Sequence, residues 1–173
     1  YKRQPKVLPD NIASNVPPYF FYDVQGHIFS DISTKDRLSL SYYTGIDDIV
    51  FDTFGLDGRW GNRTISGHWR RVFSERLVGN FLIANSNFRT FFGLGGDGGL
   101  VNDNIIEDRT ISADFSWFKS ADLTVKFGGQ NKILGFEYFS EFQDSVVFKI
   151  KNSPAEFGTY ATVSYTHLRA HET

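Results

Sequence analysis

The sequence contains neither cysteine nor methionine. Without cysteine there is no disulfide framework, no thiolate zinc site and no thiol nucleophile. Without methionine there is no initiator, so the chain is expected to begin inside a longer protein, where no signal peptide would show. An excess of one charge is also lacking: 18 Lys and Arg stand against 20 Asp and Glu, for a net charge of -2 and a pI near 6.1. That balance gives no electrostatic case for nucleic acid or for an anionic surface. No hydrophobic run approaches the roughly 20 residues that a spanning helix needs. Proline is scarce, and four of the five prolines fall within residues 1–18, which read as a connecting segment.

Aromatic residues are plentiful at 17%, with Phe 18, Tyr 8 and Trp 3, although mean hydropathy is -0.29. Two β-classes fit this composition. One is a transmembrane barrel, whose lumen-facing residues dilute its hydropathy. The other is a soluble all-β carbohydrate-binding module that uses aromatics as stacking platforms.

Period-two alternation dominates the chain. In RTISADFSWFKSADLTVKFGGQ, residues 109–130, Ile111, Ala113, Phe115 and Trp117 share one parity, and Thr110, Ser112, Asp114 and Ser116 share the other. Leu123, Val125 and Phe127 repeat the pattern after the turn KSAD. This is a hairpin with unlike faces. Similar runs set Phe20, Tyr22, Val24 and Ile28 against Asp23, Gln25 and His27, and Leu38, Leu40 and Tyr42 against Ser39 and Ser41. A further run sets Ile65, Gly67, Trp69 and Phe73 against Ser66, His68 and Arg70.

The connections alternate between short turns (TKDRL, SERL and SADL, ending at Leu38, Leu77 and Leu123) and long segments rich in Gly and Asp. Hairpins of about 40 residues with tight turns at one end and long loops at the other match outer-membrane barrels. Tyr42, Tyr43, Trp60, Trp69, Phe73, Trp117 and Phe118 are expected near strand ends, at headgroup level. The fold predicted is all-β, an antiparallel meander of long hairpins supplying about six or seven strands of a larger transmembrane β-barrel.

Motifs for chemistry are weak. Gly93, Gly95 and Gly98 match GxGxxG, but no helical period follows, so a surface loop is expected. His167 and His171 have a zinc-compatible spacing without the glutamate or a third ligand. The loop aspartates lack the spacing of a calcium loop, and no GxSxG elbow is present. The reading is therefore of a non-enzyme with no catalytic residue, no metal and no cofactor.

The runs KDRLSLSYYTGIDD, WGNRTISGHWRRVFSERLVGNFLIANSNFR and ISADFSWFKSADLTVKFGG resemble the mid-barrel region of TonB-dependent outer-membrane receptors of the Bacteroidetes type, and PAEFGTYA resembles the start of the next strand. The resemblance covers about residues 5–161. It implies a bacterial outer-membrane location, lipid around the barrel, and uptake of a small, scarce nutrient such as a siderophore, vitamin, glycan or peptide. It also implies a partner, TonB, engaged through a plug that these residues do not include, and no nucleic acid. Residues 19–162 are then a partial barrel. Residues 163–173 (VSYTHLRAHET) lose the alternation and resemble translated adapter sequence, so they are expected to be a non-native tail. Ligand contacts are expected from extracellular loop residues, namely Asp47, Asp48, Phe51, Phe54, Trp60 and Asp97.

Overall fold

A computed structural model of the chain describes residues 18–52 and 55–166. The connecting segment up to residue 17, Phe54, and the histidines of the tail lie outside the described residues. The strands are β1 (Tyr19–Asp31), β2 (Asp36–Phe51), β3 (Leu56–Ser74), β4 (Leu77–Leu94), β5 (Leu100–Phe118), β6 (Leu123–Phe142), β7 (Ser145–Asn152) and β8 (Ala155–Tyr165). They form one antiparallel meander in sequence order, an open sheet in which β7 and β8 both pair with β6. There is no helix among the described residues.

β7 and β8 act as one long strand. β7 pairs with the upper part of β6 (Phe136 opposite Asn152) and β8 with the lower part (Ile133 opposite Ala155), in unbroken register. Pro154 has no N–H to give and so interrupts the ladder only locally, while its carbonyl still accepts from Leu134 N at 2.9 Å. A bulge at Val147 shifts the register by one residue between Ser140 and Glu141. The sheet is therefore seven full passes wide. Val163, Ser164 and Tyr165, read above as the head of the tail, continue β8 opposite Val125, Thr124 and Leu123.

The long loops of the sequence reading are not there. IDDIV pairs residue by residue with DGRWG, and VNDNIIED pairs with NSNFRTFFG on one side and LGFEYFSE on the other. What remains at this upper end among the described residues is Asp52, Gly55, residues 95–99 and the pair Gln143–Asp144. The short turns at the lower end are 32–35, 75–76 and 119–122. Two of these are alike: Ile32 and Ser33 N–H both bond to Asp36 O, as Lys119 and Ser120 N–H both do to Leu123 O. The third is tighter, two residues beside a bulge at Phe73. The strands reach 20 residues, about 65 Å at the usual rise, well beyond the common five or six residues. In strands of this length Tyr42, Tyr43 and Trp60 lie inside the strand rather than at its end.

The rows across the sheet are staggered. The row Leu40, Gly67, Ile83, Ile111, Asn131 starts four residues above the lower end of β2 at Asp36 and finishes eight above the lower end of β6 at Leu123. That is about one residue per strand, the kind of register shift that tilts strands in closed barrels.

There is no second layer among the described residues, and no buried hydrophobic residue; Ser140 is the one buried polar residue. Ile83 is 62% exposed and Ile111 60% exposed.

Gln143 and Asp144 have φ of 49° and 56°. Both lie in the left-handed region that a two-residue hairpin turn of type I′ demands and that side chains resist. Asp144→Gly should therefore stabilise the hairpin by about 1 kcal/mol, raising the urea midpoint of the refolded chain, whereas Asp144→Val should lower it.

Candidate functional site

Successive side chains alternate between the sheet's two faces, so the register fixes which residues lie together. On the front face the lower half is apolar. Leu38, Leu40, Tyr42, Ile65, Trp69, Phe81, Ile83, Ile111, Phe115, Trp117, Val125 and Phe127 all share it. Its lower margin is a ribbon of rings crossing β3 to β6. Trp69 stacks on Phe81 at 4.8 Å, Phe81 meets Phe115 edge-on at 5.6 Å, and Phe115 stacks on Phe127 at 5.2 Å. Gly79 makes this possible: a Cβ there would come within 2.8 Å of Phe73 and 3.2 Å of Phe115. Higher up, Gly67 floors an apolar furrow of about 640 Å³ edged by Ile28, Leu40, Trp69, Phe81, Ile83 and Ile111.

The back face at the same level is polar. His27 bonds to Ser41 at 2.8 Å, Thr64 to Ser86 at 3.2 Å, and Tyr160 donates to Asp114 at 2.7 Å across Gly128. Lys132 pairs with Asp108 at 2.8 Å, and His68 and Arg70 share this face as their parity requires.

Above the rows of Tyr42 and Ile65 the faces of β2 to β6 change character, while β1 keeps Phe20, Tyr22 and Val24 on the front and Phe91, Ile105 and Phe139 stay there too. The front becomes charged, with the cross-strand pairs Arg59–Asp48 at 2.9 Å, Arg89–Asp103 and Lys151–Glu137 at 3.0 Å, and Arg109–Glu107 along β5 at 2.9 Å. Asp48 and Asp57 each keep one buried oxygen without a partner. The back becomes aromatic and apolar, with Tyr19, Phe21, Ile49, Phe51, Trp60, Phe88, Phe92, Ile106, Phe136, Tyr138 and Phe148.

This exchange sorts the six residues picked from sequence. Asp47 and Trp60 stand directly opposite each other on the upper back face, with Phe51 on the same face at the end of β2. Asp48 points to the opposite face and is tied to Arg59. Asp97 sits in the turn between β4 and β5. Asp47 accepts a hydrogen bond from the Tyr19 hydroxyl, and that bond, with smaller desolvation and charge effects, raises the phenol above its usual value. Phe21, Phe88, Phe92, Phe136 and Phe148 were missed, because only the pairing register shows that they share the upper back face with Trp60.

GLGGDG is the turn joining β4 to β5. Gly95, Gly96 and Gly98 take φ of 94°, 68° and 71°, and Gly95 N–H reaches Gly55 O at 3.0 Å. No helix follows to meet a phosphate. Among the described residues no three His, Cys, Asp or Glu side chains gather as a metal site, and no helix is long and apolar enough to cross a membrane. The absence of such a helix says nothing of strands that cross one. No family model, curated protein or solved structure matches the chain. The fold itself defines the class: an all-β, single-layer, open antiparallel sheet with two unlike faces.

At the lower front corner Asp36 collects several donors. Ser33 Oγ donates at 2.8 Å and Trp69 Nε1 at 3.0 Å, with Arg71 at 3.4 Å. The Arg71 guanidinium lies over Trp69 and Phe73, 5.8 and 5.5 Å from the ring centroids. The Ser33 hydrogen bond, then the Trp69 bond and the Arg71 and Lys35 charges, outweigh desolvation and hold the Asp36 carboxyl below its ordinary value. A depressed folded pKa contributes stability that is present above about pH 4, the unfolded value, and is lost as pH falls through the lowered one. In a chain carrying Trp60→Phe and Trp117→Phe, Trp69 emission should change in that acid window, and Asp36→Asn should remove the transition.

Proposed function

We propose that this sheet is part of the transmembrane β-barrel of an outer-membrane receptor of the TonB-dependent type, which captures and imports a small, scarce nutrient. The observation that carries the reading is the lower front face: apolar, exposed, without a covering layer among the described residues, and backed at the same height by a polar face. Apolar area left in water costs about 25 cal/mol per Å², so such a face needs a cover, and hydrocarbon supplies one. From Ile65 to Phe73 the front residues of β3 run roughly 25 Å along the strand, which at the usual barrel tilt spans about 20 Å of height, most of the apolar band of such barrels. The aromatic ribbon then lies at the periplasmic headgroups, and Arg71, nearer the lower end of β3 than Trp69, snorkels toward water.

On this reading the back face lines the lumen, and the upper half of the sheet stands above the bilayer. There the front face meets water, which accounts for its ion pairs. The single layer and the strand lengths favour this reading over a soluble carbohydrate-binding sandwich, which needs two facing sheets. The receptor's plug and its contact with TonB are carried outside these residues.

Three tryptophans test the arrangement, two at the lower front and one at the upper back. In vesicles of brominated lipid, chains retaining only Trp69 or only Trp117 should lose emission, and a chain retaining only Trp60 should not. Quenching of Trp60 with Trp69 spared would overturn the proposal. Ile111→Lys should cost about 2–4 kcal/mol of stability in the bilayer, whereas its neighbour Ser112→Lys, facing the lumen, should cost almost nothing.

A further inference from the structure

The exchange of faces reaches further than membrane placement. Trp60 on the upper back face has Asp47 and Thr90 directly opposite it, and Phe88 and Phe92 on its diagonals. The wall continues through Ile106 to Phe136 and Tyr138 on β6. Phe92 is 40% exposed and Phe148 52% exposed. Among the described residues this half of the back face carries no Lys or Arg. Every cation of the upper sheet (Arg59, Arg63, Arg89, Arg109, Lys149, Lys151) lies on the front. The back face has Asp47 as its acid beside Trp60 and Asp23 further along on β1, and from β4 to β6 its hydrogen-bonding groups are neutral: Thr90, Asn102, Asn104 and the Tyr138 hydroxyl, which donates to Asn102 at 2.9 Å.

We infer that the upper back face is a ligand wall that takes an uncharged molecule presenting flat ring faces, held by stacking on Trp60, Phe88 and Phe92. The inference rests on the reading of the back face as the lumen. Ring faces stack on aromatic faces without regard to charge, but an anionic ligand entering here would meet the Asp47 carboxylate and ring faces of negative potential, with no guanidinium to offset its desolvation. Gly58 lies on this wall between Ile49 and Trp60. A Cβ there would crowd Ile49 at 2.9 Å and make only an ordinary contact with Trp60 at 3.7 Å.

The experiment uses two probes with the same ring, 4-nitrophenyl β-glucoside (neutral) and 4-nitrophenyl phosphate (anionic). Both quench indole emission on contact. They are titrated into the full chain, refolded in detergent and retaining only Trp60. The glucoside should quench saturably and at least tenfold more tightly than the phosphate, and Phe88→Ala or Phe92→Ala should weaken it several-fold. The chain retaining only Trp69 reports partition into detergent and should give only linear quenching. Equal or tighter binding of the phosphate, or linear quenching at Trp60, would overturn the inference. Either result leaves the lumen reading standing if Trp60 escapes brominated lipid, whereas quenching of Trp60 by brominated lipid removes that reading and the inference with it.

Discussion

The structure depends on one constraint, the antiparallel register from β1 to β8, shifted by a residue at the bulges at Phe73 and Val147. Each residue's hydrogen-bonded partner decides which face it joins, and a slip of one residue would move every side chain of a strand to the other face. The ladder is held at both ends. Tight turns fix it below, and above it the Gly55–Gly95 and Gly98–Gln143 backbone hydrogen bonds link neighbouring turns. Cross-strand pairs on both faces add to it: the ring ribbon of Trp69, Phe81, Phe115 and Phe127 on the front, and Lys132–Asp108 and Tyr160–Asp114 on the back. Since the sheet has no buried core among the described residues, backbone pairing and these lateral contacts carry its internal order.

From that register comes the reversal of polarity halfway up the sheet. A sheet between two uniform media would keep one apolar face along its whole length. Here β1 stays apolar on the front from Phe20 to Ile28. In β2 to β6 an apolar front below gives way to a front with ion pairs and an aromatic back above, which suits the two ends of these strands to different surroundings. The proposed placement supplies them. Lipid meets the lower front and water the upper front, with a polar lumen behind the lower half and a ligand wall behind the upper half.

The same reversal explains what was legible in the sequence. In β5 the large apolar residues below, Ile111, Phe115 and Trp117, are odd, whereas above both parities occur, Leu100 and Ile106 beside Val101 and Ile105. In β6 Leu123, Val125 and Phe127 give way to Leu134, Phe136 and Phe142. Any window that straddles the switch sees both parities and no period. The upper halves, with their aspartates and glycines, therefore resemble loops although they are strand. The lower halves keep one parity, and their faces were readable residue by residue. The candidate site suffered in proportion. Asp47, Phe51 and Trp60 were found for their residue types, but Asp48 was grouped with them although its parity sends it to the other face. Phe88, Phe92 and Phe136 were passed over.

The sequence by itself determined the all-β class, the hairpin meander and the two-faced lower half, because local alternation and turn residues act over a few positions. Only the tertiary structure decided that the glycine- and aspartate-rich segments are strands, that β7 and β8 are one pass across Pro154, and that Asp47 faces Trp60. Those facts depend on hydrogen bonds between segments distant in the chain, whose pairing no local pattern specifies.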